Sequence, residues 1–282
     1  MKFRHVGTRY QHSRVESMVT APHPLGPRSD RPAHVADLLH LLTRDPGRPR
    51  LTWYGDDGER VELSGAVLEN WVNKTTNLLV EEFDAGPGTR VVLDLPVHWR
   101  TVVWALAVWR VGATVVLVAA EDDATTGRGT ARPDVVVTTR PDRWAGTRAE
   151  LVAVSLPALA RRYDGDLPAG AVDAASAVMT YGDQVGWSPE PGRGTAALET
   201  AAGIVALHAD LVLGSVPPEG ATPGARVLAR GGTTLEEALR AVLGVLADDG
   251  SVVQLSCGRA HALAADAEAL SRLVAAERVT VW

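Results

Sequence analysis

The chain has 282 residues and a mass of 29.9 kDa, which is room for one large domain or about two of average size. Its 46% hydrophobic and 22% charged residues lie far from the compositions of disordered, collagen-like or low-complexity chains. A net charge of -6 and a pI near 5.8, with acids and bases interspersed, exclude the basic footprint of a nucleic-acid-binding protein. The single cysteine, Cys257, cannot form an internal disulfide, so the chain reads as cytoplasmic and Cys257 as a small buried hydrophobe. Of 28 basic residues only Lys2 and Lys74 are lysines, a scarcity that bears on any phosphate chemistry.

Met1 to Arg14 carries Lys2, Arg4, Arg9 and Arg14 without an apolar core, unlike a secretory signal. Pro22, Pro24, Pro27 and Pro32 extend a disordered leader over residues 1–32, in which Met18 is a candidate start. Residues 33–43 place Val35, Leu38, Leu39 and Leu42 at helical spacing, and Pro46 and Pro49 end that helix. Residues 51–54 and 59–63 flank Asp56-Asp57-Gly58 and predict a hairpin. Ser64 caps a helix to Phe83, and Gly86-Pro87-Gly88 breaks the chain. A strand from Arg90 to Leu95 stops at Pro96, and a helix follows from His98 to Val111. The stretch Thr101 to Ala120 bears one charge, Arg110. A central arginine costs about 3 kcal/mol in a membrane, and Gly112 precedes a β-branched run, so this is a helix and then a strand rather than a membrane span.

Strands are predicted over 115–118, 134–138, 151–155, 226–229, 251–255 and 278–281. Helices are predicted over 195–213, which is rich in alanine, over 233–247 and over 262–276. Short apolar runs separated by helices predict an α/β fold of layered, largely parallel sheets with helices on both faces.

The order "LTWYGDDGERVELSGAVLENWVNKTTNLL … AGPGTRVVLDLPVHWRTVVWALAVWRVGATVVLV" resembles the N-terminal part of the adenylate-forming enzymes, the superfamily of acyl-CoA synthetases, peptide-synthetase adenylation domains and luciferases. "RVLARGGTTLEEALRAVLGVLADDGSVVQLS" and "EALSRLVAAERVTVW" are similar to a later part of the same large domain. The chain most resembles short, truncated, uncharacterised synthetase-like proteins of high-GC bacteria. The resemblance implies that residues 33–86 and 224–282 form one αβ subdomain and residues 88–215 a second, with a cleft between them. No counterpart of the C-terminal lid domain follows.

Adenylation joins a carboxylate to the α-phosphate of ATP, and the developing charge needs loop N–H groups, a cation and magnesium. The family places these in a loop rich in Gly, Ser and Thr that carries a lysine. At the corresponding place, after a strand-like Ala177 to Thr180, this chain reads Tyr181-Gly182-Asp183-Gln184-Val185-Gly186-Trp187-Ser188-Pro189-Glu190. Gly182 and Gly186 remain, the hydroxyl cluster is gone, Asp183 adds an acid, and Glu190 stands in the lysine's place. Arg193 is the nearby cation, but a guanidinium does not replace a loop lysine. Facing a triphosphate, a carboxylate reverses the sign of the interaction. A second candidate anion site is Gly231, Gly232, Thr233 and Thr234, between a strand and a helix, although Thr233-x-x-Glu236 reads better as a capping box.

His34, His40, His98, His208 and His261 lack metal-ligand spacing and read as structural, surface or partly buried. Glu121, Asp122 and Asp123 read as a solvated loop. Trp99, Trp104 and Trp109 read as core and surface anchors of one helix. Neither GxGxxG nor GxxxxGK[ST] is present, which weakens an unrelated nucleotide-binding fold.

These features predict a non-catalytic relative of the synthetases, with no cofactor and no metal. It would bind a small acyl or aromatic ligand, or a protein partner at the surface a lid would cover. The alternative is half of a split AMP-forming carboxylate ligase, using ATP and magnesium and completed by a separate lid protein.

Overall fold

Apolar residues at helical spacing and two well-placed caps determine how the chain starts. Val35, Leu38, Leu39 and Leu42 lie on one buried face of α1 (Val35–Leu42). The turn at Asp56-Asp57-Gly58 joins β1 (Pro49–Tyr54) to β2 (Arg60–Ser64) as an antiparallel hairpin. Ser64 then accepts from the Val67 amide to cap α2 (Gly65–Phe83). A computed structural model describes residues 31–118, 132–230 and 234–282. Most of the expected leader, the acidic run Glu121 to Asp123, and Gly231, Gly232 and Thr233 lie outside the described residues. Arg31, expected in the leader, instead donates to Asp248 at 3.0 Å.

The remaining elements are β3 (Arg90–Asp94), α3 (Trp99–Arg110), β4 (Thr114–Leu117), β5 (Val135–Thr138), β6 (Glu150–Ala153), β7 (Val172–Asp173), α4 (Ala174–Ala177), β8 (Ala196–Thr200), β9 (Gly203–Leu207), β10 (Arg226–Ala229), α5 (Leu235–Ala247), β11 (Ser251–Leu255), α6 (Cys257–Ala264) and α7 (Ala267–Ala276). The described strands form two sheets, one in the order β10-β11-β1-β2 and the other β7-β6-β5-β3-β4-β8-β9. Every pairing in the larger sheet is parallel except β8 with β9, and in the smaller one only β1 with β2 is antiparallel. The smaller sheet thus joins residues 49–64 to residues 226–255.

Alternation along the buried strands assigns their faces. Val91, Leu93, Val115, Val135 and Val137 join the main core with Trp99, Trp104 and Trp109 of α3 and with Val242 and Leu246 of α5. Val92, Val116 and Val136 point the other way, onto Trp144 and Leu151. Across the smaller sheet, Val227 and Val252 face the main core, while Leu228, Val253 and Leu255 pack on Leu263 of α6 and Leu273 of α7. All three tryptophans of α3 are buried, so none is a surface anchor. The helix ends at Arg110 and β4 begins at Thr114. Among the described residues no helix is long and apolar enough to cross a membrane.

Several expectations fail for identifiable reasons. Residues 195–213 contain the hairpin β8–β9 rather than a helix. The Thr114 hydroxyl and the Trp109 indole N–H donate to the carbonyls of Ala196 and Ala197 at 2.8 and 2.7 Å, and Gly203 takes φ +117 at the turn. Pairing with β4 overrides the alanines' weak helical preference. Ala177 to Thr180 is helical rather than extended, because Asp173 caps α4 by accepting from the Ala175 amide. The single helix expected over 262–276 is two, since Ser256 caps α6 and Asp266 caps α7. Among the described residues the last strand shrinks to one bridge between Val281 and Val227. Cys257 is exposed at the start of α6 rather than buried.

Candidate functional site

In the larger sheet β3 lies between β4 and β5. The chain leaves β3 through α3 toward β4, whereas it leaves β5 in the opposite direction, toward β6. Loops that part in this way open a crevice beyond the carboxyl ends of parallel strands, where ligands of such sheets sit. A cavity of about 580 Å³ lies there, lined by Asp94 at the end of β3, Leu95, Pro96 and Val97 after it, Val118 after β4, Thr139 and Arg140 after β5, and Thr234 and Leu235 at the start of α5.

Its charges are already matched. The Asp94 carboxylate accepts from the Thr138 hydroxyl at 2.7 Å, the Trp144 indole at 2.9 Å and Arg140 at 2.5 Å. Burial alone would raise the Asp94 pKa, but these donors outweigh it and hold the group below the usual carboxylate range. Arg140 is therefore the partner of an internal acid, not a free clamp for an anion.

At the other wall Thr234 caps α5, with its hydroxyl accepting from the Glu237 amide and the Glu237 carboxylate accepting from the Thr234 amide. The capping box sits one residue later than the sequence suggested, and Glu236 pairs with Arg240 at 3.0 Å instead. Of the second candidate anion site only Thr234 is described. It is spent on the cap, and the carboxylate beside it repels anions.

A second cavity of about 260 Å³ shares Val97 with the first and lies against β10, β11 and one face of α5. Val227, Ala238, Ala241, Val245 and Val252 make it apolar, Gln254 reaches it from mid-strand, and Arg230 and Trp282 lie at its edge, with the guanidinium 5.4 Å from the indole.

The loop at residues 181–193 is at neither cavity. It leads into β8, which runs parallel to β4, and so approaches the amino ends of the strands. Pro189 lies against Gly86 just before β3, and Pro191 against Gly112 just before β4. Since β3 spans five residues, the two edges of the sheet are about 15 Å apart. The loop's carbonyls are tied to α2. Asn73 donates to Asp183 O at 2.8 Å, Asn77 to Gly182 O and Gln184 O at 3.0 and 2.9 Å, and Lys74 Nζ to Tyr181 O at 2.6 Å. Arg110 in turn donates to Asn73 Oδ1. Gly182, Asp183, Gly186, Glu190 and Arg193 are all exposed. Gly182 and Asp183 share this clamp, while neither Gly186 nor Arg193 hydrogen-bonds to it.

Asn73, Lys74 and Asn77 stand at i, i+1 and i+4 on α2, so one side of the helix carries the whole clamp. Two asparagines inside a helix are poor formers, and in the sequence they are the local mark of this clamp. Among the described residues no group of three or more acidic, histidine or cysteine side chains could hold a metal ion. His98 is buried, accepts from the Arg100 amide at 3.1 Å and stays neutral, its pKa pushed down to about 3 by burial and by the Arg100 charge.

No known family model matches the chain. Its fold is similar to an acyl-CoA synthetase of Brucella canis (TM-score 0.62, 17% identity, 88% of this chain and 50% of that one). A fatty acyl CoA synthetase of Mycobacterium tuberculosis is similar too (TM-score 0.62, 16%, 88% and 48%), as is the N-terminal subdomain of Klebsiella oxytoca NpsA in complex with 3-hydroxybenzoyl-AMSN (TM-score 0.60, 15%, 92% and 61%). The chain thus spans about half the length of the synthetases it matches. A TIGR03089 family protein of Mycobacterium tuberculosis is 34% identical over 260 residues, covering 87% of this chain and 95% of that protein. The fold is thus that of the N-terminal part of acyl-CoA synthetase-like structures, and, with that relative matched nearly end to end, the chain belongs to the TIGR03089 family.

Proposed function

We propose that this protein is a non-catalytic relative of the acyl-CoA synthetases that keeps their scaffold, has given up ATP chemistry, and binds a small acyl or aromatic molecule in the cleft between its sheets. The observation that carries the reading is the position of the loop at residues 181–193. It is held by α2 at the amino edge of the larger sheet through its own carbonyls, whereas the cavities lie at the carboxyl edge and against α5. A triphosphate at the first cavity would meet an arginine already paired to Asp94 and a helix start occupied by its own glutamate. The described lysine, Lys74, is engaged elsewhere. That the NpsA N-terminal subdomain is found with 3-hydroxybenzoyl-AMSN supports a ligand with an aromatic acyl part on such a scaffold.

Calorimetric titration of the whole protein with ATP and magnesium is the test. The expected outcome is no saturable heat, and tight, magnesium-dependent binding would overturn the proposal.

The coverage of about half of each synthetase favours a second reading, half of a split AMP-forming ligase. It predicts carboxylate-dependent pyrophosphate exchange when the protein is combined with a separate lid protein, and absence of exchange in cell extract counts against it.

A further inference from the structure

We propose that the narrow cavity between α2, α3 and α4 is a site for one small monovalent inorganic anion of chloride's size, received by Nη1 of Arg100. It lies apart from the two cavities described above and does not rest on the ligand-binding reading.

Arg100 stands in the first turn of α3 and is 8% exposed. Its guanidinium lies 4.3 Å from the Trp99 ring and 5.5 Å from that of Trp71. Nε donates to Leu156 O at 3.2 Å, and Nη2 to Pro157 O and Ala158 O at 2.9 and 3.2 Å. Nη1 has no acceptor among the described residues, and it is not sealed in as the Trp99 indole N–H is. Carbonyls and ring faces attract a positive charge without cancelling it. Among the described residues no carboxylate forms an ion pair with this one. Glu59, the acid that acts on it, does so through space, and its carboxylate accepts from the Ala158 amide at 2.7 Å. Burial outweighs Glu59 and brings the Arg100 pKa down to about 10, so the group stays cationic at neutral pH. A buried cation without its anion is costly.

The cavity beside it has about 20 Å³, which is room for one water or one halide ion and for no organic ligand. Trp71 and Thr75 of α2, Trp104 of α3, Ser155 after β6 and Ala175 of α4 line it together with Arg100. None of its lining residues is acidic, so no carboxylate competes at its walls. The Thr75 and Ser155 hydroxyls donate to Trp71 O and Arg162 O at 2.8 and 3.1 Å. Water is the rival occupant, accepting from Nη1 and donating to those hydroxyl oxygens, but it leaves the charge unmatched. An anion completes Nη1 and matches the charge in one step.

The experiment follows thermal unfolding of the full chain by circular dichroism as sodium chloride replaces sodium gluconate at constant ionic strength, gluconate being too large for the cavity. The midpoint is expected to climb with the logarithm of chloride concentration, by about 2 to 4 °C over the series. Ala175→Leu fills the cavity, spares the Arg100 hydrogen bonds, and flattens the response while the spectrum stays native. Arg100→Met, which removes the cation, flattens it too. In crystals grown with bromide, an anomalous peak marks the ion beside Nη1. The proposal is overturned by a midpoint indifferent to chloride, the result for a cavity that holds only water, by a response that survives Ala175→Leu, or by crystals with no bromide at Nη1. Should Arg100→Met fail to fold, Ala175→Leu and the bromide crystals still decide.

Discussion

Glu277, at the end of α7, draws Arg60 of β2, Tyr54 of β1 and Arg226 of β10 onto one carboxylate, with distances of 2.5 to 2.9 Å for the closest contacts. Burial would raise its pKa, but the hydrogen bonds from Arg60, Tyr54 and Arg226 outweigh that and hold it at about 2. A carboxylate depressed in the folded state stabilises the fold above the unfolded value, and that contribution fades as pH falls from about 4.5 toward 2. Glu277→Gln leaves Arg226 without its anion, Arg60 keeping Glu62, and is expected to cost about 1 to 3 kcal/mol at neutral pH, with a flatter acid-unfolding curve, read by urea melts across pH 2 to 7. His98 works in the same direction. Kept neutral when folded, with a pKa of about 3, it takes up a proton near pH 6.5 only on unfolding, so stability declines as pH drops through that window. His98→Asn, which preserves an N-cap acceptor, is expected to remove this slope, and the same melts would register its persistence as a failure.

At the scale of elements, the clamp on residues 181–184 shows what a helix face can do beyond packing. Asn77 is buried and donates to two carbonyls. Asn77→Ala is expected to cost about 1 to 3 kcal/mol by stranding them and to speed hydrogen exchange in residues 181–186 while the core strands stay protected. Equal exchange in both proteins would contradict it. Gly112 reinforces the placement from the strand side. It has φ +78, and a Cβ there would come within 2.9 Å of Pro191, so the loop crosses the amino edge of the sheet at a position only glycine leaves open.

For the whole molecule, the decisive contact is β1 against β11, which pairs Leu51 with Val252 across most of the chain. Deleting residues 224–282 strips β1 of its parallel partner and uncovers Leu51 and Trp53 at a sheet edge. The expected result is an unfolded or aggregated product, and a soluble product with native circular dichroism would refute the role given to this pairing. The α/β class, the hairpin, the Ser64 cap and the break after Arg110 were all legible in the residues, because each rests on local spacing, a cap or a turn. The hairpin at residues 196–207 was hidden by alanines whose preference loses to a neighbouring strand, and the α5 capping box was misplaced by one residue because Thr233-Thr234 is followed by Glu236-Glu237. What only the tertiary structure decided is where chemistry could occur. Sequence could register that the loop near Gly182 carries acids, Asp183 and Glu190. It could not reveal that the loop lies at the amino edge of the larger sheet, nor that a cavity forms between α5 and strands β10 and β11. Both depend on strand direction and on pairing between residues far apart in the chain, Val115 with Leu198 and Leu51 with Val252, and no local pattern encodes them.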